Sequence, residues 1–262
     1  MILVENLSKQ FKRPAAGFWK RDREMVRAVQ NVSFSAEDGR ITGLLGANGA
    51  GKTTTLRMIA AMLKPDGGQI RVDGVEVQAG RQTTQAQMGV LSDARGLYPR
   101  LSARENIVYY GVLHGMAPEQ AHARVDVLSE ALELKTFIDR RCEGFSQGEK
   151  MKTALARALV HDPKNIILDE PTNGLDVLST RALREYLRWL CSEQGGRKCI
   201  IFSTHIMQEV ERLCEHVVVV AQGVTAAQGS VPELLVLAQE TDFENAFVKL
   251  AFASESDPRG AV

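Results

Sequence analysis

The residues with the plainest chemistry lie at Gly46-Ala47-Asn48-Gly49-Ala50-Gly51-Lys52-Thr53, which fits the pattern G-x-x-x-x-G-K-[ST] and runs on into Thr54. Glycines at these spacings let backbone N–H groups turn inward around phosphate oxygens, and a helix opening at the lysine adds partial positive charge. Lys52 would set a point charge against the β- and γ-phosphates of a nucleoside triphosphate, and the Thr53 hydroxyl would ligate Mg2+. A second constellation lies far along the chain, where the apolar run Asn165-Ile166-Ile167-Leu168 ends in Asp169-Glu170. Carboxylates at the carboxyl end of such a strand sit where ligands bind in open α/β sheets. Asp169 would hold Mg2+, and Glu170 would orient or deprotonate an attacking water. An acidic pair after a strand is weak evidence alone, since it could cap the next helix; beside a phosphate loop it gains weight.

These side chains need elements to hold them. Ile41 to Leu45 reads as a buried strand, and Thr53 to Leu63 as a helix closed by Lys64-Pro65 and Asp66-Gly67-Gly68. Gln69 to Val72 and Val75 to Val77 alternate around Asp73-Gly74, a hairpin signal. From about Ser102 to Val160 the pattern turns helical. Strand runs return at Asn165–Leu168, Cys199–Phe202 and Val217–Val220, with a helix from Val177 to Gln194 between the first two. Apolar strands alternating with helices imply a largely parallel sheet covered on both faces. The fold class is therefore α/β, with a helical insertion in the middle. A further helix is expected after Val231-Pro232, followed by a disordered tail.

Composition narrows the function classes. The chain has 262 residues, 44% hydrophobic and 24% charged, the balance of a globular protein. Lysine plus arginine equals aspartate plus glutamate at 32 each, which argues against a protein held on nucleic acid by bulk charge. No run is long enough to span a bilayer, and the start lacks a signal peptide. Cys142, Cys191, Cys199 and Cys214 show no CxxC spacing and read as small buried residues of a reducing compartment. Lys9 to Arg27 holds seven basic and two acidic residues around Phe18-Trp19. It reads as a solvated loop or hairpin extension, with contact to a membrane surface or partner as the sharper alternative.

Further segments, in a fixed order, carry a family resemblance. They are Leu7-Ser8-Lys9-Gln10-Phe11, Met88-Gly89-Val90-Leu91-Ser92-Asp93 with Gly96-Leu97-Tyr98-Pro99, Phe145-Ser146-Gln147-Gly148-Glu149, Pro171-Thr172-Asn173-Gly174-Leu175-Asp176, and Ser203-Thr204-His205. With the two constellations above, this order resembles the nucleotide-binding subunit of ATP-binding cassette (ABC) transporters over roughly residues 1 to 225. The resemblance implies a P-loop core with a mixed, largely parallel sheet, an antiparallel β subdomain and an inserted helical subdomain. It bounds an ATP-binding core at 1–92 and 159–225, a helical signature subdomain at 93–158, and a helical appendage at 226–262. It also implies that Phe11 stacks on adenine, with Trp19 as substitute, and that Ser146, Gln147, Gly148 and Glu149 contact the γ-phosphate held by the other subunit. Asp176 would couple the two sites across the dimer, and His205 would contact the γ-phosphate and position the attacking water.

Three positions depart from the family pattern: Gln147 replaces a glycine, Glu149 a glutamine, and Asp93 the glutamine that bonds Mg2+ and senses the membrane partner. Such variants resemble the type-2 exporter branch, and the Gly96–Leu101 segment with Ala103-Arg104-Glu105-Asn106 looks like its sodium-extrusion members. The implied cofactors are ATP and Mg2+. The implied partners are a second copy or a paired cassette subunit and a separate polytopic permease, with no nucleic acid. The permease would dock around Asp93 to Tyr110, where Leu97, Tyr98 and Tyr109 are contact candidates unless they are core residues. The expected place is the cytoplasmic face of the inner membrane. The rivals are a cassette ATPase acting on ribosomes or DNA and a catalytically silent, nucleotide-dependent dimerisation module.

Overall fold

Buried apolar runs supply the strands at Ile41–Leu45, Asn165–Asp169, Cys199–Thr204 and His216–Ala221. In the computed structural model, which describes residues 1–14, 23–78, 82–92 and 96–252, the chain opens with β1 (Ile2–Pro14), β2 (Arg23–Ala36), β3 (Ile41–Leu45) and α1 (Lys52–Ile59). Then come β4 (Gly67–Val72), β5 (Val75–Glu76), α2 (Gln82–Gln85), β6 (Met88–Leu91), α3 (Ala103–Leu113), α4 (Pro118–Ala131) and α5 (Gln147–Leu159). The rest is β7 (Asn165–Asp169), α6 (Val177–Cys191), β8 (Cys199–Thr204), α7 (Met207–Leu213), β9 (His216–Ala221), β10 (Val224–Gly229), α8 (Val231–Ala238) and α9 (Phe243–Phe252). Two compact units result. The first comprises Met1–Ala36, Thr42–Arg81 and Ser203–Val262, and the second Glu37–Ile41 and Gln82–Phe202.

In the first unit the strands lie in the order β5-β4-β1-β2-β10-β9-β3. Every residue of β3 is buried, and it pairs in parallel with β9 from Thr42↔His216 to Leu45↔Val219. Toward the other edge the pairing turns antiparallel, β1 with β2 and β1 with β4. The basic segment forms a hairpin extension where it is described, with Arg13 opposite Glu24; Phe18 and Trp19 lie outside the described residues. The C-terminal helices are part of the core. Leu234, Phe243 and Phe247 share one apolar cluster with Leu45, Val210, Val217 and Val219. The tail beyond residue 252 lies outside the described residues.

The second unit pairs β6 with β7 in parallel, Met88↔Asn165 through Leu91↔Leu168, with β8 on the far side of β7. Its helices α3, α4 and α5 fill the stretch expected to be helical. Arg104 on α3 reaches Asp126 on α4 and Asp139 in the loop that follows α4, at 2.7 Å each. Two helices end earlier than the sequence suggests. After α1, Ala61 takes a left-handed conformation (φ 56) and the Met62 N–H closes on the Arg57 carbonyl at 2.9 Å, a helix-stop motif. After α6, Ser192 turns to ψ 168 and its hydroxyl donates to the Trp189 carbonyl at 2.7 Å. All four cysteines are free, and burial pushes the Cys142 thiol up to about 11, which removes it as a nucleophile near neutral pH.

One stacked pair of histidines gives the second unit a pH dependence. The rings of His114 and His161 stack with centroids 3.7 Å apart and planes 6° apart, and His161 Nε2 lies 3.3 Å from the Met88 carbonyl. Burial first, and the neighbouring imidazole second, push His161 down to about 4 from its ordinary 6.5. Between those values the unfolded chain binds the extra proton, so stability is complete above pH 6.5 and falls as pH drops toward 4. The loss is about 2 kcal/mol once partial exposure is discounted. His161→Gln, which keeps a donor for Met88, is expected to flatten thermal-unfolding midpoints measured from pH 7 to 4.5. A parallel decline in both proteins would assign the acid sensitivity elsewhere.

Candidate functional site

The glycine-rich segment 46–51, the expected phosphate loop, connects β3 to α1 within the first unit. Gly51 precedes α1 with φ 106, and a Cβ there would stand 2.6 Å from the Ala28 carbonyl, so neither the backbone angle nor the space admits a side chain. No side chain caps α1, and no acidic residue occupies its first turn; a helix start of this kind favours a nearby anion. Lys52 is 5% exposed and curls back to donate to the Gly46 carbonyl at 2.7 Å and the Ala47 carbonyl at 3.2 Å. Its ammonium is thus held inside the loop. Thr53 and Thr54 follow, half-buried, on the first turn.

A buttress that local spacing does not reveal holds the loop from behind. The turn between β9 and β10 places the Gly223 N–H on the Ala50 carbonyl at 3.0 Å, while the Gln30 N–H reaches the Gly223 carbonyl at 2.7 Å. Gly223, distant in sequence from both Ala50 and Gln30, thereby fixes the loop against β2. Phe11 sits on β1 opposite Val26, exposed, with the Lys9 ammonium 5.9 Å from its ring centroid. His205 is exposed just beyond β8. Its turn is set by Thr204, whose hydroxyl donates to Glu209 at 2.6 Å and accepts the Ile206 N–H at 3.0 Å.

The second unit carries the acidic and signature residues. Asp169 ends β7, and Glu170 follows with φ 47, a left-handed conformation uncommon for a residue with a Cβ. Asn173 holds it, donating from Nδ2 to Glu170 Oε2 at 2.7 Å, with the Asn173 N–H on the Glu170 carbonyl at 3.2 Å. The only signal of this clamp in the sequence is an amide three residues after the acid.

Ser146 caps α5 in a reciprocal box: its hydroxyl accepts the Glu149 N–H at 3.2 Å, and Glu149 accepts the Ser146 N–H at 2.8 Å. That backbone bond, helped by Arg140 Nη1 at 2.9 Å, holds the Glu149 carboxyl below its ordinary range. Gln147 is exposed beside it, and Gly148 packs so that a Cβ would meet the Gly174 carbonyl at 2.9 Å. Asp176 caps α6 by accepting the Ser179 N–H at 2.7 Å, which lowers its pKa. The second unit therefore gathers Glu170, Asn173, Gly174, Gln147 and Gly148 around one turn. Tyr98 and Tyr109 are 45% and 43% exposed and are not core residues; Asp93 lies outside the described residues.

Comparison with known proteins adds to this geometry. The family described as ABC transporter matches residues 29–173. A relative from Bacillus subtilis (strain 168), "ABC transporter ATP-binding protein NatA", is 41% identical, the match covering 95% of this chain and 97% of that protein. "Nod factor export ATP-binding protein I" from Paraburkholderia xenovorans is 40% identical over 79% of this chain and 67% of its own length. Among solved structures, the ATP-binding subunit of an ABC transporter superposes with a TM-score of 0.80 at 25% identity, covering 95% of this chain and 98% of that one. A dimeric ATP-binding cassette bound to ADP and Pi has a TM-score of 0.78 at 23% identity, covering 88% and 98%, and establishes likeness of fold.

Proposed function

The chain belongs to the ABC transporter family, and from that premise we propose that it is the ATP-binding and ATP-hydrolysing subunit of an exporter. It works as a dimer around two ATP molecules and drives a separate transmembrane permease. The observation that carries this reading is the Lys52 ammonium, stored on the Gly46 and Ala47 carbonyls at an uncapped helix start. The relatives named for transport and export support the exporter branch.

In this reading the loop from Gly46 to Thr53, with Asn48, Gly49, Ala50 and Gly51 at its turn, wraps the β- and γ-phosphates. Lys52 exchanges two neutral carbonyls for phosphate oxygens, a stronger charge-assisted partner. Phe11 covers the adenine. Glu170, aimed by Asn173, accepts a proton from the attacking water, and His205 contacts the γ-phosphate from its fixed turn. Ser146 and the N–H groups of Gln147, Gly148 and Glu149 face the nucleotide held by the second subunit, and Asp176 links the two sites. Thr53 and Asp169 offer hydroxyl and carboxylate oxygens, the hard donors that suit Mg2+. When bound, that ion neutralises charge on the phosphates. Loss of the γ-phosphate then lets the subunits part.

No helix among the described residues is long and apolar enough to cross a membrane. We place the protein peripherally, on the cytoplasmic face where ATP is supplied, with Tyr98 and Tyr109 toward the permease. The test is to purify the tagged chain from detergent-solubilised membranes and assay ATPase activity with and without what accompanies it. A copurifying polytopic membrane protein, with turnover changed severalfold in its presence, is the expected result. Recovery with ribosomes or DNA, or no turnover under either condition, would overturn the reading.

A further inference from the structure

Helix α5 starts at the signature residues and ends beside a different surface. Its N-cap is Ser146. In its last turn Arg157 donates from Nη1 to the Gly96 carbonyl at 2.8 Å. The same guanidinium lies 4.4 Å from the Tyr110 ring centroid, within cation–π range. Tyr110 meets Tyr109 edge-on, centroids 6.0 Å apart, and Tyr109 meets Tyr98 in the same way at 5.4 Å. Tyr98 is pinned by the buried side chain of Asn106, which accepts the Tyr98 N–H at 2.8 Å and donates to the Tyr98 and Ser102 carbonyls at 3.1 and 2.9 Å.

An exposed aromatic face is thus joined by unbroken contact to one end of a helix whose other end is Ser146, about 16 Å away along the axis. A basic residue in a last helical turn needs no special account, since it complements the helix dipole. The dipole would accept lysine equally. It does not explain a planar group bonded in one direction to a carbonyl and stacked in another on a ring, which only arginine satisfies.

We propose that Arg157 is a positioning residue that couples the Tyr98–Tyr109–Tyr110 face to the signature helix. Occupancy of that face and closure of the ATP dimer at Ser146 then bias one another, each by the same factor. The proposal rests on the ATP-dimerising function above and deepens it by naming the link between the permease side and the nucleotide side.

The test uses the full chain carrying Glu170→Gln and labelled with 3-fluorotyrosine, since the chain has only four tyrosines. ATP-driven dimerisation, followed by light scattering, is expected to shift the fluorine resonances of Tyr98, Tyr109 and Tyr110. Adding Arg157→Lys is expected to leave dimer formation and ATP affinity within about twofold while cutting those shifts on the order of threefold or more. Tyr110→Leu is expected to cut the Tyr98 and Tyr109 shifts equally, and the double variant no further; it carries the test should Arg157→Lys fail to fold. Undiminished shifts in either variant, or signals that do not respond to dimerisation in the parent, overturn the proposal. Loss of dimerisation together with the shifts makes Arg157 a structural brace and also overturns it. Absence of any ATP-dependent dimer in the parent overturns the dimerising function and this link together, and the scattering measurement tells that case from the others.

Discussion

The Glu170→Gln protein is expected to bind ATP with nearly the parent's affinity, to hydrolyse it on the order of 10²- to 10³-fold more slowly, and to accumulate as an ATP-bound dimer. Glutamine keeps the shape of the side chain and an oxygen that still accepts the Asn173 amide, now 2.7 Å from Oε2. It has the same β-carbon as glutamate, so the left-handed backbone at this position (φ 47) costs it no more. What it loses is basicity. A side chain that cannot take the water's proton forfeits about 2.7–4.1 kcal/mol of barrier lowering, at 1.36 kcal/mol per factor of ten. Because the loss falls on a step after binding, KM should move far less than kcat. Steady-state turnover and equilibrium ATP titration on the same preparation measure the split. Parent-like turnover would remove Glu170 from the role of base.

Much of this arrangement was legible in the sequence, for a physical reason. The strands β3, β7 and β9 announce themselves as short apolar runs because both of their faces are buried, and the phosphate loop does so because its glycines are demanded by the backbone. The resemblance then ordered the remaining segments. Less visible were contacts whose partners are brought together by strand order. Nothing in the spacing of Gln30, Ala50 and Gly223 says that they meet, nor that α8 and α9 share the core with Val217 and Val219.

Glu149 shows how a departure from the family pattern becomes intelligible in three dimensions. The helix-start box needs a side-chain acceptor at this position, and glutamate supplies one as well as glutamine does. The change therefore preserves the Ser146 cap and adds a charge, which Arg140 meets at 2.9 Å. The early end of α1 is a case of the opposite kind. Ala61 has no composition signal for a left-handed turn, and only the closing bonds on Arg57 reveal it.

Lys52→Ala should weaken ATP binding on the order of 10²-fold, with smaller loss for adenosine or AMP, which lack the β- and γ-phosphates. Charge-assisted hydrogen bonds to a buried partner contribute about 1.5–3 kcal/mol net, or roughly 10- to 150-fold in affinity. The ammonium also donates to the Gly46 and Ala47 carbonyls, the second of which accepts the Ala50 N–H as well at 3.1 Å. Removing it therefore takes a donor from each carbonyl while Ala47 keeps the Ala50 N–H, so a relaxed loop is a second cause of lost affinity. Lys52→Met separates the two causes, because it fills the space of the buried stem without charge or donor. If loop collapse dominates, methionine should recover most of the affinity and of the melting temperature. If the phosphate contact dominates, methionine should restore the melting temperature toward the parent value and leave ATP binding as weak as in the alanine variant. The second outcome is the expected one, since the carbonyls lie on a loop whose own N–H groups and buttress remain in place. Isothermal titration with ATP, ADP and AMP, alongside thermal unfolding of all three proteins, decides it. Parent-like ATP affinity in Lys52→Ala would end the phosphate-loop assignment.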